Sequence, residues 1–171
     1  MDQVQGIAQA GGYPFVARQT NVDLSMPFFS VRFGNAVLSD YPIASAWIER
    51  FSAHSKLERL FAGHHDSLMT RIALSPEQTI LISAVYLESR SGEAHRAAAH
   101  RIKTRMADFD ERLFITGDFN SSPSGFPFFS GAGTSALDII LATDRFTTFP
   151  PCDATATRCT FPSVSPDRTI D

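Results

Sequence analysis

The string Gly117-Asp118-Phe119-Asn120 places a carboxylate and a carboxamide two residues apart, directly after the apolar run Leu113-Phe114-Ile115. In an extended backbone, alternate residues project to one face, so Asp118 and Asn120 converge there while Phe119 projects to the other. A carboxylate so placed accepts a proton from a water molecule or helps to hold a metal-bound one. The amide beside it offers an N–H to a phosphate oxygen and a carbonyl to the water. The same residues also spell an Asx turn leading into the loop at Ser121-Ser122-Pro123, with no chemistry attached. On the residues alone, both readings stand.

Other groupings carry less. In Gly63-His64-His65-Asp66, adjacent side chains diverge on a strand, and the stretch reads as a polar, exposed connection rather than a ligand set. His95 and His100 are five residues apart, about 140° around a helix, unlike the i, i+4 pair that shares a metal, and read as solvated. Arg90, Arg96, Arg101, Lys103 and Arg105 have Glu93 as acidic partner; they form a phosphate-facing surface or simply the exposed side of a helix. Phe126, Phe128 and Phe129 read as packing under a long loop or as an apolar lip. Gly131-Ala132-Gly133-Thr134-Ser135 lacks the lysine of a phosphate loop and reads as a plain turn. Cys152 and Cys159 permit at most one bridge, and their spacing is not CxxC. Neither GxSxG nor HExxH occurs, so serine-hydrolase and zincin readings have no footing.

The elements that must position these groups follow from pattern. Asp2 to Ala10, stopped by Gly11-Gly12, predicts a short helix. Tyr13 to Ala17, Asn35 to Ser39 and Ala44 to Ile48 predict short strands. Leu68, Arg71 and Leu74 mark another, followed by a turn at Ser75-Pro76-Glu77. Thr79 to Leu87 is a nearly continuous apolar run and predicts a buried central strand. Ala94, Ala98, Ile102, Met106 and Phe109 recur every three or four residues and predict the longest helix, over Gly92 to Phe109. Leu113 to Thr116 predicts a strand, and Leu137 to Leu141 is a further apolar segment.

With 171 residues, 43% hydrophobic and 19% charged, the chain has room for one domain with a sizeable core. A net charge of −3 removes the chain-wide basic field that would by itself advertise nucleic-acid or membrane-surface binding. No apolar stretch approaches the roughly 20 residues that span a bilayer. Met1-Asp2-Gln3 lacks a basic n-region and an apolar h-region. Strands interrupted by helices predict an α/β or α+β domain with a mixed sheet.

The order of blocks then resembles the endonuclease/exonuclease/phosphatase family, the deoxyribonuclease I-like metal-dependent phosphoesterases. Gly34-Asn35-Ala36-Val37-Leu38-Ser39 with Tyr41-Pro42-Ile43 is similar to the family's GNAxLS..P strand. Gly117-Asp118-Phe119-Asn120 matches its most recognisable motif, and Thr160-Phe161-Pro162 with Asp167-Arg168-Thr169-Ile170-Asp171 resembles its late TxP and R-I-D strings. Ala84-Val85-Tyr86-Leu87-Glu88 stands where the family has T-H-L. The resemblance runs from Gln3 to Asp171.

The resemblance implies a four-layer sandwich of two packed mixed sheets flanked by helices, formed by residues 1–171 as one domain, incomplete at both termini. It implies hydrolysis of a phosphodiester or phosphomonoester with Mg²⁺ or Mn²⁺. Asp118 would activate water and ligate the metal. Asn120 would orient the water, touch the phosphate and share the metal. Tyr86 would donate a hydrogen bond to the phosphate, Asp171 would pair with the catalytic histidine, and Asn35 and Arg96 would contact the substrate. A nucleic acid, a phospholipid head group or a small phosphoester would serve as substrate; no protein partner is indicated. The chain departs from most relatives at Tyr86, where they carry His, and at Asp40, where many carry Arg. Relatives also carry a Q-E string upstream of the position of Met1 and an S-D-H string beyond that of Asp171, and neither string occurs here. The expectation is weak or absent activity for these 171 residues, and the alternative is a non-catalytic fragment, pseudoenzyme or binding module of the same fold.

Overall fold

In the computed structural model, residues 2–51, 66–87, 92–122, 124 and 135–148 are described. They fall into two compact units: residues 2–85 with 110–116, and residues 86–109 with those from 117 onward.

The first unit begins with α1 (Gln3–Gly11). Asp2 caps it, its carboxylate accepting from the Gln5 N–H, and the left-handed Gly12 ends it. Strands β1 (Phe15–Arg18) and β4 (Ala36–Ser39) then pair antiparallel, Phe15 opposite Ser39. Between them in sequence, β2 (Val22–Met26) and β3 (Phe29–Phe33) form a separate two-stranded ribbon that the sequence patterns above do not single out. A second sheet runs in the order β5 (Ile43–Glu49), β6 (Ser67–Ser75), β7 (Gln78–Tyr86), β8 (Arg112–Asp118).

Strands β6 and β7 are joined at Pro76-Glu77, where proline presets φ for the turn and the Glu77 N–H donates to Ser75 Oγ at 3.3 Å. The Thr79–Leu87 run thus becomes an inner strand with neighbours on both sides, which is why it reads as continuously apolar. Alternate residues of β6 and β7, Leu68, Ile72 and Ala84, meet Ala17 of β1 and Val37 of β4 in a core to which Ile43, Leu74, Ile80 and Ile82 add. The two sheets of this unit therefore pack face to face, each hiding the apolar side of the other. On the opposite face of the larger sheet, Arg71 forks onto Glu111 through Nε and Nη2 (2.5 and 3.1 Å) and stacks over Trp47 at 5.4 Å.

Gly34 shows how tightly β4 is seated. A Cβ there would lie 1.9 Å from the Gln19 carbonyl oxygen, so only glycine admits the approach. The next residue then closes the contact, its carbonyl accepting from the Gln19 N–H at 2.8 Å.

The second unit contains α2 (Gly92–Met106) and α3 (Ala136–Leu141). The helix spacing places Ala98, Ala99, Ile102 and Met106 on a buried stripe of α2, and Ala136, Ile139 and Ile140 are the buried side of α3. The two helices pack on each other, and Lys103 Nζ donates to the Ala142 carbonyl at 3.3 Å, close to the end of α3 where a cation meets unpaired carbonyls. Leu137–Leu141 is thereby helical, opened by a capping box between Ser135 and Asp138. Together the sheets and helices make the mixed α/β fold expected from the residue pattern. No helix among the described residues is long and apolar enough to cross a membrane.

Candidate active site

Strand β8 ends in a turn built from local chemistry. Gly117 adopts φ 128°, a backbone state that side chains rarely tolerate, and β8 stops one residue later at Asp118. Asn120 has φ 46° and is the one non-glycine residue with positive φ among those described. Asparagine accepts this left-handed state because its short amide can bond locally. Its backbone N–H donates to Asp118 Oδ1 at 2.8 Å, and its side-chain Nδ2 donates to the Leu87 carbonyl at 2.8 Å.

The Leu87 N–H in turn donates to the Asp118 carbonyl at 2.9 Å. The Asn120 side chain therefore stands where the next rung of the ladder between β7 and β8 would be. This corrects one expectation: Asp118 and Asn120 are joined by an Asx turn, not by sharing the face of an extended strand. One Asn120 N–H is also spent on Leu87, leaving its Oδ1 and second N–H as the groups with which it can address a ligand.

Three further contacts hold this turn. Phe119 is buried and anchors it. His95, in the first turn of α2, lies with Nε2 2.7 Å from the Phe119 carbonyl oxygen, so that nitrogen carries the proton and donates. The reading of His95 as solvated is thus overturned: no local pattern reveals a contact across 24 residues to a backbone carbonyl. Downstream, the Ser124 N–H donates to both carboxylate oxygens of Asp138 (3.0 and 3.2 Å), tying the loop after the motif to the start of α3. Burial pushes the Asp138 carboxyl up, but the hydrogen bonds from Ser124 and Ser135 together outweigh it and hold it below its ordinary value.

The remaining candidates divide by location. Tyr86 is the half-buried last residue of β7, adjacent in chain to the Leu87 that bonds Asp118 and Asn120. Arg96 follows His95 on α2 and is exposed, as are His100, Arg101 and Arg105, whereas Lys103 is half-buried. Asn35 belongs to the first unit, where its Nδ2 donates to the carbonyls of Asp66 (3.3 Å) and Ala84 (3.0 Å), bracing β4 against β6 and β7. Asp66 is 4% exposed, which corrects its reading as part of an exposed connection. Asp40 is exposed. Asp171, both cysteines, Gly63 to His65, Glu88, Arg90, the Phe126–Phe129 cluster and Gly131 to Gly133 lie outside the described residues.

A divalent cation of the Mg²⁺ class takes several oxygen ligands. Among the described residues no group of three or more His, Cys, Asp or Glu side chains gathers to hold one, and Asp118 with Asn120 offers two donor residues. This pair by itself does not fit such an ion.

The comparisons with known proteins can be set beside this geometry. No curated protein sequence matches the chain significantly. A solved structure described as "Crystal Structure of SmcL" is similar at 20% identity and a TM-score of 0.42, over 54% of this chain and 41% of that one. The model of the Endonuclease/Exonuclease/phosphatase family matches residues 1–170, across both units and through the motif at Asp118. The chain belongs to the endonuclease/exonuclease/phosphatase family.

Proposed function

We propose that this chain hydrolyses a phosphodiester or phosphomonoester by in-line attack of a water activated at Asp118. The observation that carries the reading is the turn itself: a carboxylate at a strand end, backed by the N–H of an asparagine in a left-handed conformation, inside a family match that covers the motif. A carboxylate has about four lone-pair sites, so one group can both accept a backbone N–H and take a proton from water. The bond also fixes the carboxylate's orientation, which a general base needs as much as basicity.

Asn120 positions the carboxylate through its backbone and meets water or a phosphate oxygen through its remaining amide groups. Tyr86 donates its phenolic O–H to a phosphate oxygen. His95 is a positioning residue that holds the motif through Phe119. Asn35 is assigned a bracing role, Arg96 a substrate contact at the rim, and Asp171 a pairing with the family's histidine. Mg²⁺ or Mn²⁺ is the proposed cofactor; Asp118 and Asn120 would supply part of its ligand set, other oxygen donors would complete it, and it would supply positive charge to the phosphate. The family match spans both units, which supports reading residues 1–171 as one domain.

The test is hydrolysis of an aryl phosphodiester and an aryl phosphomonoester with Mg²⁺ or Mn²⁺. It is run on the 171-residue chain and on a form that also carries the family's Q-E and S-D-H strings. Weak turnover is expected from the former. The latter should turn over, with Asp118→Ala lowering the rate about 10²- to 10⁴-fold. An extended form indifferent to Asp118→Ala overturns the mechanism.

A further inference from the structure

The ribbon of β2 and β3 is two-faced. Its register sets Val22 opposite Phe33, Leu24 opposite Val31 and Met26 opposite Phe29 on one face, with Asp23 opposite Arg32 and Ser25 opposite Ser30 on the other. The polar face is satisfied by itself, since the Arg32 guanidinium forks onto Asp23 Oδ2 at 2.7 and 3.0 Å. The apolar face is not covered toward its tip: Met26 is 52% exposed, Phe29 55% and Val31 42%. At the apex Phe28 is 98% exposed. Among the described residues, neither strand pairs with any strand but the other. An isolated ribbon with an open apolar side is marginal in water, and covering that side would stabilise it.

We infer that the occupant is a lipid surface, into which the Met26-Pro27-Phe28-Phe29 tip inserts end-on. Three observations select it. First, the most exposed aromatic, Phe28, sits at the apex and not on the face, so a partner laid along the face would leave it in water while a fluid apolar phase at the tip covers it. Second, five paired residues at about 3.4 Å each along two strands each about 4.8 Å wide give a face of about 160 Å². That is far below the roughly 800 Å² per partner of a stable protein interface.

Third, the segment from Leu24 to Val31 carries no charge, and the first charged rung, Asp23 with Arg32, lies three rungs behind the Met26–Phe29 pair. Three rungs are about 10 Å, which matches the depth to which apolar faces sink into the boundary between head groups and acyl chains. The Asp23–Arg32 pair would then lie at head-group level. The ribbon is braced for this at its base, where the Asn21 N–H donates to the Phe33 carbonyl at 2.9 Å and Gly34 packs on Gln19. With one Asp and one Arg, the ribbon is neutral and the whole chain carries −3, so attraction to anionic lipid plays no part. The inference is independent of the role given to Asp118.

The experiment is co-sedimentation of the full chain with phosphatidylcholine vesicles, alongside its mass in solution. Binding is expected, little changed by salt or by added anionic lipid, and weakened about tenfold by each of Phe28→Ser and Phe29→Ser. Because misfolding would also abolish binding in those variants, Phe28→Trp supplies the second arm. It should bind as the parent does, and vesicles should shift its emission to the blue, whereas the parent's single tryptophan, Trp47, should not respond. No vesicle binding, an emission of Phe28→Trp unchanged by vesicles, or a dimer dissolved by Phe28→Ser would each overturn the lipid assignment.

Discussion

The two ends of β8 both hold a carboxylate, and they treat it differently. Glu111, just before the strand, faces side chains: Arg71 forks onto both of its oxygens, and Thr79 Oγ1 donates from 3.5 Å. Asp118, at the other end, accepts the backbone N–H of Asn120 within a four-residue string. A fork of guanidinium and hydroxyl closes a carboxylate against neighbouring strands and commits it to holding the sheet. A main-chain N–H within a turn fixes an orientation and brings no side-chain charge of its own. The same functional group is thus tied across strands by side chains at one end and tied to its own turn by a backbone N–H at the other. Neighbours, not residue type, make the difference.

The sharpest way to break this comparison is to remove each charge while keeping its shape. In a form able to turn over, Asp118→Asn should lower hydrolysis of a phosphodiester about 10²- to 10⁴-fold with little change in melting temperature. Glu111→Gln should leave the rate per folded molecule within about twofold while lowering the melting temperature. A rate loss in Glu111→Gln equal to that in Asp118→Asn, measured at matched folded fraction, would erase the distinction.

The next effect is on stability. Arg71→Ala leaves Glu111 half-buried without its fork and uncovers Trp47, and should cost about 1–3 kcal/mol, the range for breaking a charged hydrogen bond. At this chain length that is a fall of about 2–4 °C per kcal/mol in a thermal melt. Arg71→Met, which keeps packing over Trp47 but not the fork, should recover part of the loss. If both variants melt as the parent does, the pair is ornamental.

Some of this contrast was legible in the residues and some was not. The apolar run through Ile80 to Val85 announces an inner strand because both of its faces must be buried, and the stripe Ala98, Ile102, Met106 announces a helix. The string at Asp118 is recognisable as a motif, but its geometry is not. A strand pattern extrapolates the backbone through Asn120, whereas the short Asx bond from its N–H competes with the ladder and wins. The ribbon of β2 and β3 leaves no such sign, because Met26-Pro27-Phe28-Phe29 lacks the Asn-Gly or Asp-Gly signature of a tight hairpin. The fork from Arg71 to Glu111 spans 40 residues, and His95 reaches Phe119 across 24; such distances leave no periodic trace.

A smaller effect separates the two jobs of Asn120. Asn120→Ala loses the bond to Leu87 and places a Cβ residue without a compensating amide at φ 46°, which together should cost about 2–3 kcal/mol. Asn120→Gly relieves the backbone and loses only the bond, so it should cost about 1 kcal/mol less than alanine by denaturant titration. The two should lose the same activity if the side-chain amide is what meets the substrate. If glycine instead restores the rate, the asparagine serves the turn alone.

The smallest effect is in the acid limb of stability. Hydrogen bonds from Arg71 hold the Glu111 carboxyl below its ordinary range, outweighing the upward push of burial, with the Arg71 charge and Thr79 adding to the lowering. A carboxyl lowered in the folded state binds fewer protons there than in the unfolded chain. Its contribution is therefore complete above the unfolded value near 4.5, and it fades as pH falls from there through the lower folded value. Stability measured between about pH 6 and pH 2 should consequently fall less steeply in Glu111→Gln than in the parent, the two curves converging at the acid end. The change is expected to be modest, because the carboxylate keeps 25% of its exposure and the guanidinium 33%, so water screens the pair. Asp138 is lowered as well, through Ser124 and Ser135, and contributes to the same limb with the same sign. Asp138→Asn should flatten the limb in addition to Glu111→Gln, since the two sites share no named partner and should act independently. Parallel curves for the parent and Glu111→Gln would show that the fork at the first end of β8 does not bias protonation, and with it the contrast between the two ends would fail.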